Sequence, residues 1–358
     1  HEVFEDMYSN NRLLGTRDFV HKNGNVYNES SHGTSCLSLM AGNIPDKYVG
    51  TAPLASYYLC RTEDVKSENI IEEYNWVSAA EFLDSLGIDI ISTSLGYVDF
   101  DNPQWDHVYS DLDGETSVIT FGSEIACSRG ILCVTSAGNE GETSFPYISV
   151  PADGENVLTV GAVDKYGDKA SFSSIGPTYD NRIKPDVMAH GYNVTVAATW
   201  GNGYADGSGT SFSCPVLAGM AACLWQANKH LPASAIRDAL RQNASETGNP
   251  NNNYGYGIPD FKAAFEDLII EENHDSVINS LISVYPNPSS GNVMVAIETI
   301  GKVNVEVYDE IGKLLYSNIV TRYYISDLTS FLNELGSGLY FIKVNDDENN
   351  SAFKFVKY

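Results

Sequence analysis

The stretch Gly209-Thr210-Ser211-Phe212-Ser213-Cys214-Pro215 decides how the rest of this chain is read. Before it, Gly203 to Gly209 is a glycine-rich turn. After it, Val216 to Trp225 is apolar on nearly every face, the pattern of a helix that runs through a core. Pro215 falls in the first turn of that helix, where a missing N–H is tolerated. Ser211 therefore stands at a helix N-terminus, among unpaired backbone amides and at the positive end of the helix dipole. Such a place stabilises an oxyanion; taken alone it equally describes an N-cap serine on a core helix.

Two more stretches change that balance. Ser31-His32-Gly33-Thr34-Ser35-Cys36 through Gly42 reads as a short helix with a histidine at its start and a glycine at its close. Ile131 to Glu140 reads as a buried strand that ends in Ser136-Ala137-Gly138-Asn139. Each alone is ordinary: a first-turn histidine, a turn asparagine. Together His32, Asn139 and Ser211 supply a base, an oxyanion donor and a nucleophile, each at the edge of a regular element.

In this order, His32-Gly33-Thr34, Ser94-Leu95-Gly96, Ser136-Ala137-Gly138-Asn139 and Gly209-Thr210-Ser211 followed by Pro215 resemble the motifs of the subtilisin-like serine peptidases, the subtilases. The likeness covers roughly residues 10–265. It implies an α/β fold, a parallel sheet flanked by helices, and a secreted serine endopeptidase acting on proteins or peptides. It implies that Ser211 is the nucleophile and His32 the general base, with the Asn139 amide joining the Ser211 N–H in an oxyanion hole. Ser94-Leu95-Gly96 and Ser136-Ala137-Gly138 are implied to be the edges along which an extended peptide lies, their small residues letting two backbones approach.

One part of the family pattern is missing. The triad aspartate belongs before the histidine, at the end of a buried strand and followed by small residues. Asp6 lies in polar Glu5-Asp6-Met7-Tyr8, and Asp18 in Arg17-Asp18-Phe19 lacks the small residues; both read as surface or structural carboxylates. The sequence opens at His1 with no recognisable signal peptide or propeptide. The expectation is an N-terminally truncated piece whose first strand and aspartate lie upstream, strongly impaired as it stands. Losing the function of that aspartate costs about 10⁴ in kcat in serine proteases. The alternative is a non-catalytic subtilase-like protein that holds a peptide without cutting it.

The rest of the chain fits this frame. Its 358 residues suggest a peptidase domain over 1–268, a linker over 269–280 and a further domain over 281–358. Strand-like Leu13 to Val20, Ser56 to Arg61 and Ile88 to Gly96 alternate with helical spacing at 32–41 and 76–86, the signature of a parallel sheet whose carboxyl ends line a cleft. With 21 basic against 47 acidic residues the net charge is −26, which argues against nucleic acid or an anionic membrane as partner. No apolar run is long enough for membrane insertion. The six cysteines lack paired C-x-x-C spacing and read as small buried thiols, not as a zinc site or a disulfide framework. Cys214, beside the nucleophile, is expected to confer sensitivity to mercurials. An acidic insertion from Val98 to Glu115 has oxygens for calcium but matches no calcium-loop spacing, so a solvated loop is expected. No cofactor is required by this reading, and structural calcium stays open.

Past residue 281 apolar and polar residues alternate with period two, as at Val303, Val305 and Val307 and at Tyr340, Ile342 and Val344. Turns at Ile311-Gly312-Lys313 and Gly336-Ser337-Gly338 separate these runs, so the tail reads as a small all-β, immunoglobulin-like sandwich. Val284-Tyr285-Pro286-Asn287-Pro288, Val307-Tyr308-Asp309, Gly338-Leu339-Tyr340 and Lys354-Phe355-Val356-Lys357 resemble the C-terminal sorting domain of type IX secretion. That resemblance implies a secreted or bacterial cell-surface protein, with the translocon as a partner.

Overall fold

A computed structural model describes all residues except 23, 276–281, 286–288, 290–293, 298–301, 322–325 and 346–349. The chain folds as two units, His1–Glu266 and Asp267–Tyr358.

The first unit begins with α1 (Glu5–Ser9), β1 (Leu13–Asp18), α2 (His32–Ala41), the short β2 (Asn43–Ile44) and β3 (Tyr48–Val49), and β4 (Tyr57–Arg61). It continues with α3 (Ile71–Ser85), β5 (Ile90–Thr93), α4 (Val118–Ser128), β6 (Leu132–Ser136), β7 (Leu158–Val163) and β8 (Val187–His190). The hairpin β9 (Val194–Ala197) and β10 (Tyr204–Gly207) leads into α5 (Thr210–Ala227), followed by α6 (Ala233–Gln242) and α7 (Phe261–Asp275), a helix that begins in the first unit and ends in the second. Strands β6 and β7 are buried along their whole length and read as near-continuous apolar runs, as strands covered on both faces do. On one side Trp76, Ala80 and Leu83 of α3 and Ile119 and Ala126 of α4 pack with Ile91 and Cys133 of the sheet. Helix α5 packs against β5 to β8 and buries Cys214, Leu217, Ala218 and Ala221.

The parallel strands form two ladders, not one. β5, β6, β7 and β8 pair in chain order, and β1 pairs with β4. Among the described residues no ladder joins β4 to β5. Both line the same core, since Tyr58 and Cys60 of β4 pack on the cluster that holds Ile91. Among the described residues the facing edges of β4 and β5 thus have no strand paired to them, an arrangement proteins ordinarily fill or cover.

The segment before β1 is less polar in space than on paper. Val3, Phe4 and Met7 are buried against Leu37 and Ala41 of α2 and Ala197 of β9, so this short helical piece seats the helix that starts with His32. Asp6 pairs with Arg12 and accepts a bond from Asn43 Nδ2 at 2.7 Å. Asp18 accepts from the amides of Val20 and His21, both at 2.9 Å, and from Arg61 at 3.1 Å. Both are structural carboxylates, and no bond joins either to His32.

The second unit contains β11 (Ile282–Tyr285), β12 (Met294–Ile297), β13 (Lys302–Asp309), β14 (Leu314–Thr321), α8 (Ser326–Glu334), β15 (Gly338–Asn345) and β16 (Asn350–Lys357). β11 pairs with β12, and the other four form an antiparallel sheet in the order β14-β13-β15-β16. The β13–β14 turn contains Gly312 at φ +82°, a left-handed position that glycine adopts without strain. Val305, Val307, Tyr340, Ile342, Val344 and Phe355 make the inner face, as their alternation implies, and Leu328 and Leu332 of α8 cover it. That helix does not show in the period-two pattern, because its apolar residues, Leu328, Phe331 and Leu332, recur at i, i+3, i+4 over only nine residues. Helix α7 runs on to Asp275, so part of the stretch read as linker is helical; residues 276–280 lie outside the described residues. All six cysteines are free: Cys36, Cys133 and Cys214 are buried, Cys60 and Cys127 half-buried, and Cys223 exposed.

Candidate active site

Ser211 is the second residue of α5, so its amide has no intrahelical partner. Its Oγ donates to the Ser94 carbonyl at 3.3 Å. Asn139 follows β6 and is held by Thr210: its Oδ1 accepts from the Thr210 amide at 2.9 Å and lies 3.1 Å from Thr210 Oγ1. With the oxygen so committed, the Asn139 NH₂ is left for the cavity that Asn139 and Ser211 both line. Thr210 is fully buried, and its hydroxyl also takes a bond from the Gly138 amide at 3.2 Å. His32 opens α2, half-buried, with its ring 6.2 Å from the ring of Phe212.

The cavity has a volume of about 500 Å³, and Ser94, Leu95, Gly96, Ser136 and Gly138 are on its wall. Ala137 is not. It is fully buried, its amide donates to Val160 and its carbonyl accepts from Ser149, so its main chain is spent inside the fold. Gly96 and Gly138 are there by necessity. A Cβ on Gly96 would lie 2.1 Å from Ser149 Oγ, and Gly138 has φ +107° with Ser174 Oγ 2.8 Å from where its Cβ would be.

The subtilase family profile matches residues 5–257, more than half of the chain. This chain is a subtilase. A second profile, the secretion system C-terminal sorting domain, matches residues 283–358. Among relatives, serine protease AprX of Bacillus subtilis (strain 168) is 30% identical over 275 residues, covering 69% of this chain and 60% of that protein. Subtilisin NAT of Bacillus subtilis subsp. natto is 32% identical over 256 residues, covering 70% and 60%. The subtilase thus matches about 60% of the length of these relatives. Among solved structures, the S218A mutant of the protease domain of PatA has the same fold, with a TM-score of 0.58 at 23% identity over 72% of this chain and 87% of that one.

In this subtilase no hydrogen bond joins His32 to Ser211; Cys36 stands between their helices, its Sγ 3.3 Å from the Ser211 carbonyl. His32 Nε2 lies 3.7 Å from Cys36 Sγ, one helical turn on, and no carboxylate bond to His32 is present among the described residues. Burial holds its imidazole below the ordinary histidine range, which keeps the ring neutral and able to accept a proton at neutral pH. Cys214, three residues on from Ser211, has no exposed surface, its Sγ 3.4 Å from the carbonyls of Thr93 and Val134.

The acidic insertion turns its carboxylates on its own backbone. Asp106 accepts from the Phe100 amide at 2.8 Å, Asp111 from Val108 at 3.0 Å, and Asp113 from Glu115 and Thr116 at 2.9 and 2.8 Å. The acidic grouping tight enough to hold a cation is elsewhere among the described residues, at Glu63, Glu68 and Glu72. Two of its members are already engaged: Glu72 accepts from the Asp64 and Asn69 amides, and Glu63 from Tyr97 Oη and Thr62 Oγ1. Sequence reasoning missed Thr210, Cys36, Ser149 and these glutamates. Thr210 and Cys36 are adjacent to or one turn from named site residues; the others come to the cleft only through tertiary structure.

No helix among the described residues is long and apolar enough to cross a membrane.

Proposed function

We propose that this subtilase is the peptidase portion of an exported serine endopeptidase. In the proposed reaction His32 accepts the Ser211 Oγ proton, and Oγ adds to the scissile carbonyl. The Asn139 NH₂ and the Ser211 amide hold the oxyanion, the amine leaves with the proton from His32, and water releases the acid from the acyl-enzyme. No cofactor takes part. The observation that carries this reading is the Thr210 clamp, which commits the Asn139 oxygen and leaves its NH₂ for the cavity that holds Ser211.

The reading includes a third member of the triad, an aspartate on a strand between β4 and β5. The unjoined edges of those two strands and the absence of a carboxylate bond to His32 support it. The same absence favours a second reading, a non-catalytic peptide-binding protein. Labelling with a fluorophosphonate separates the two, with Ser211→Ala as control, on this chain and on the natural full-length protein. Labelling of the full-length form that the substitution abolishes supports the peptidase; no labelling of either folded form supports the binding protein. Asn139→Ala should lower kcat by about 10² to 10³, and an unchanged kcat removes Asn139 from the oxyanion hole.

Export rests on the sorting-domain match at residues 283–358. In the proposed route a type IX translocon reads this tail and delivers the enzyme to the cell surface or medium. Deleting residues 281–358 should leave the protein inside the cell, and normal secretion without them overturns the route.

A further inference from the structure

We propose that the cleft selects peptides bearing a lysine or arginine side chain, taken up by its carboxylate wall and the Ser149 hydroxyl. This deepens the peptidase reading and rests on it.

The cavity that contains Ser211 is lined by Glu63, Glu68, Asp99 and Glu140 and by no lysine or arginine. Glu63 and Glu68 converge with Glu72, their acceptor oxygens within 4.8 Å of one another. The cation on the neighbouring strand end, Arg61, spends its donors on other groups than the wall's carboxylates: it bonds Asp18 at 3.1 Å, lies 4.0 and 3.9 Å from Glu29 and Asp64, and reaches Glu63 only at its main-chain carbonyl, at 3.0 Å. Among the described residues no ion pair joins a cation to the carboxylates of Glu63, Glu68, Asp99 or Glu140. Burial first, and then the charges of Glu72 and Glu68, push Glu63 up to about 7, and burial with its acidic neighbours raises Glu68 and Glu72 as well. An incoming ammonium or guanidinium relieves that repulsion.

Ser149 gives an independent reason. It is 4% exposed, on the cavity wall, and its Oγ lies between the two glycines of the cleft edges, 2.1 Å from where a Cβ of Gly96 would be and 3.1 Å from that of Gly138. Among the described residues no hydrogen bond uses this hydroxyl. The residue is buried, yet its hydroxyl faces the cavity without a protein partner, and a side chain ending in N–H groups gives it one. The stem of such a side chain has Leu95 and Val98 of the same cavity to pack on. An apolar side chain leaves the hydroxyl and the carboxylates unanswered, and an acidic one adds like charge.

The test measures binding to the full chain carrying Ser211→Ala, so that turnover does not enter. Short peptides with one lysine, norleucine or glutamate moved through successive positions are titrated by calorimetry, in EDTA and in millimolar calcium. At one position lysine should bind at least about tenfold more tightly than norleucine, with glutamate weakest. The isosteric pair Glu63→Gln with Glu68→Gln should remove most of that ratio, and Ser149→Ala part of it. Equal binding of lysine and norleucine at every position, no binding of any peptide, or a ratio that survives the Gln pair overturns the proposal. So does a ratio abolished by calcium, which would give the wall to a metal ion. Fluorophosphonate labelling keeps the two readings apart: labelling without a lysine preference sinks this proposal alone, and a preference without labelling sinks the peptidase.

Discussion

The Ser94 hydroxyl donates to the main-chain carbonyl of Ser211 at 2.8 Å, a carbonyl that α5 itself cannot satisfy. Its helical partner four residues on is Pro215, which has no N–H. Cys36 Sγ supplies a second, weaker bond to the same oxygen at 3.3 Å. Two motifs far apart in the chain, the Ser94 strand end and the Ser211 helix, thus answer one backbone vacancy, and the turn that carries Ser211 is fixed by it.

Ser94→Ala should therefore destabilise the fold by about 1–3 kcal/mol, the cost of a buried acceptor losing its main partner. In a Pro215→Ala background the helix regains its own donor, and the same substitution should cost clearly less. Urea denaturation of the four forms gives the coupling. Equal costs in both backgrounds would show that Ser94 acts in some other way than through this carbonyl.

Burial pushes Glu63 up to about 7 against its short bond from Tyr97 Oη, and this fixes the sign of a pH effect. A carboxyl raised in the folded state contributes its full stability below the unfolded value, near 4.3, and loses it as pH rises through the folded value. The groups facing it are Tyr97, Thr62, Glu72 and Glu68. Glu63→Gln should thus be close to wild type at pH 5 and more stable at pH 8, by on the order of 1–2 kcal/mol after allowing for partial exposure. A melting-temperature difference that does not grow from pH 5 to pH 8 counts against an ionised Glu63 with no ion pair.

How much of this was legible in the sequence follows from where each determinant lies. His32, Asn139 and Ser211 stand at junctions of apolar runs with glycine-punctuated turns, and such junctions are written locally. The Thr210 clamp is not, because a threonine before a serine has no meaning until Gly138 is folded beside it. Ala137 looks like its neighbours Ser136 and Gly138, yet its main chain faces β7 and the Ser149 turn. Val3, Phe4 and Met7 are spaced as a single helical turn within charged residues, too short a pattern to outweigh them in sequence. The alternation of the second unit is strong for strands and silent about α8, since two and a half turns of helix leave little periodicity.

The thiols were expected to be uniformly buried, and their differences give a chemical prediction. Burial pushes Cys36 up to about 11 and Cys214 to about 12, and the bond with Cys127, then burial, holds Cys133 well above the thiol range. Cys127 is lowered by the bond from Cys133, and Cys223 is exposed. Because the thiolate is the nucleophile, maleimide on the native protein should modify Cys223 and Cys127 and spare Cys36, Cys133 and Cys214. Peptide mapping by mass spectrometry reads this directly. Rapid native modification of Cys214 would mean that the interior around Cys214 opens to solvent.

Gly219 sets helix propensity against packing within α5. In an exposed helix interior, glycine to alanine gains up to about 1 kcal/mol. Here a Cβ would lie 2.0 Å from Thr51 Oγ1, 3.0 Å from Thr51 Cβ and 3.2 Å from the Ala52 amide, so the turn after β3 has to move. Overpacking of this kind costs typically about 1–3 kcal/mol, which outweighs the propensity gain. Gly219→Ala should therefore lower the urea midpoint. Because α5 carries Ser211 in its first turn, the displacement should also slow fluorophosphonate labelling of any form that labels. A stabilised Gly219→Ala would show that Thr51 yields without cost, and the close approach of this turn would then have no part in seating the helix.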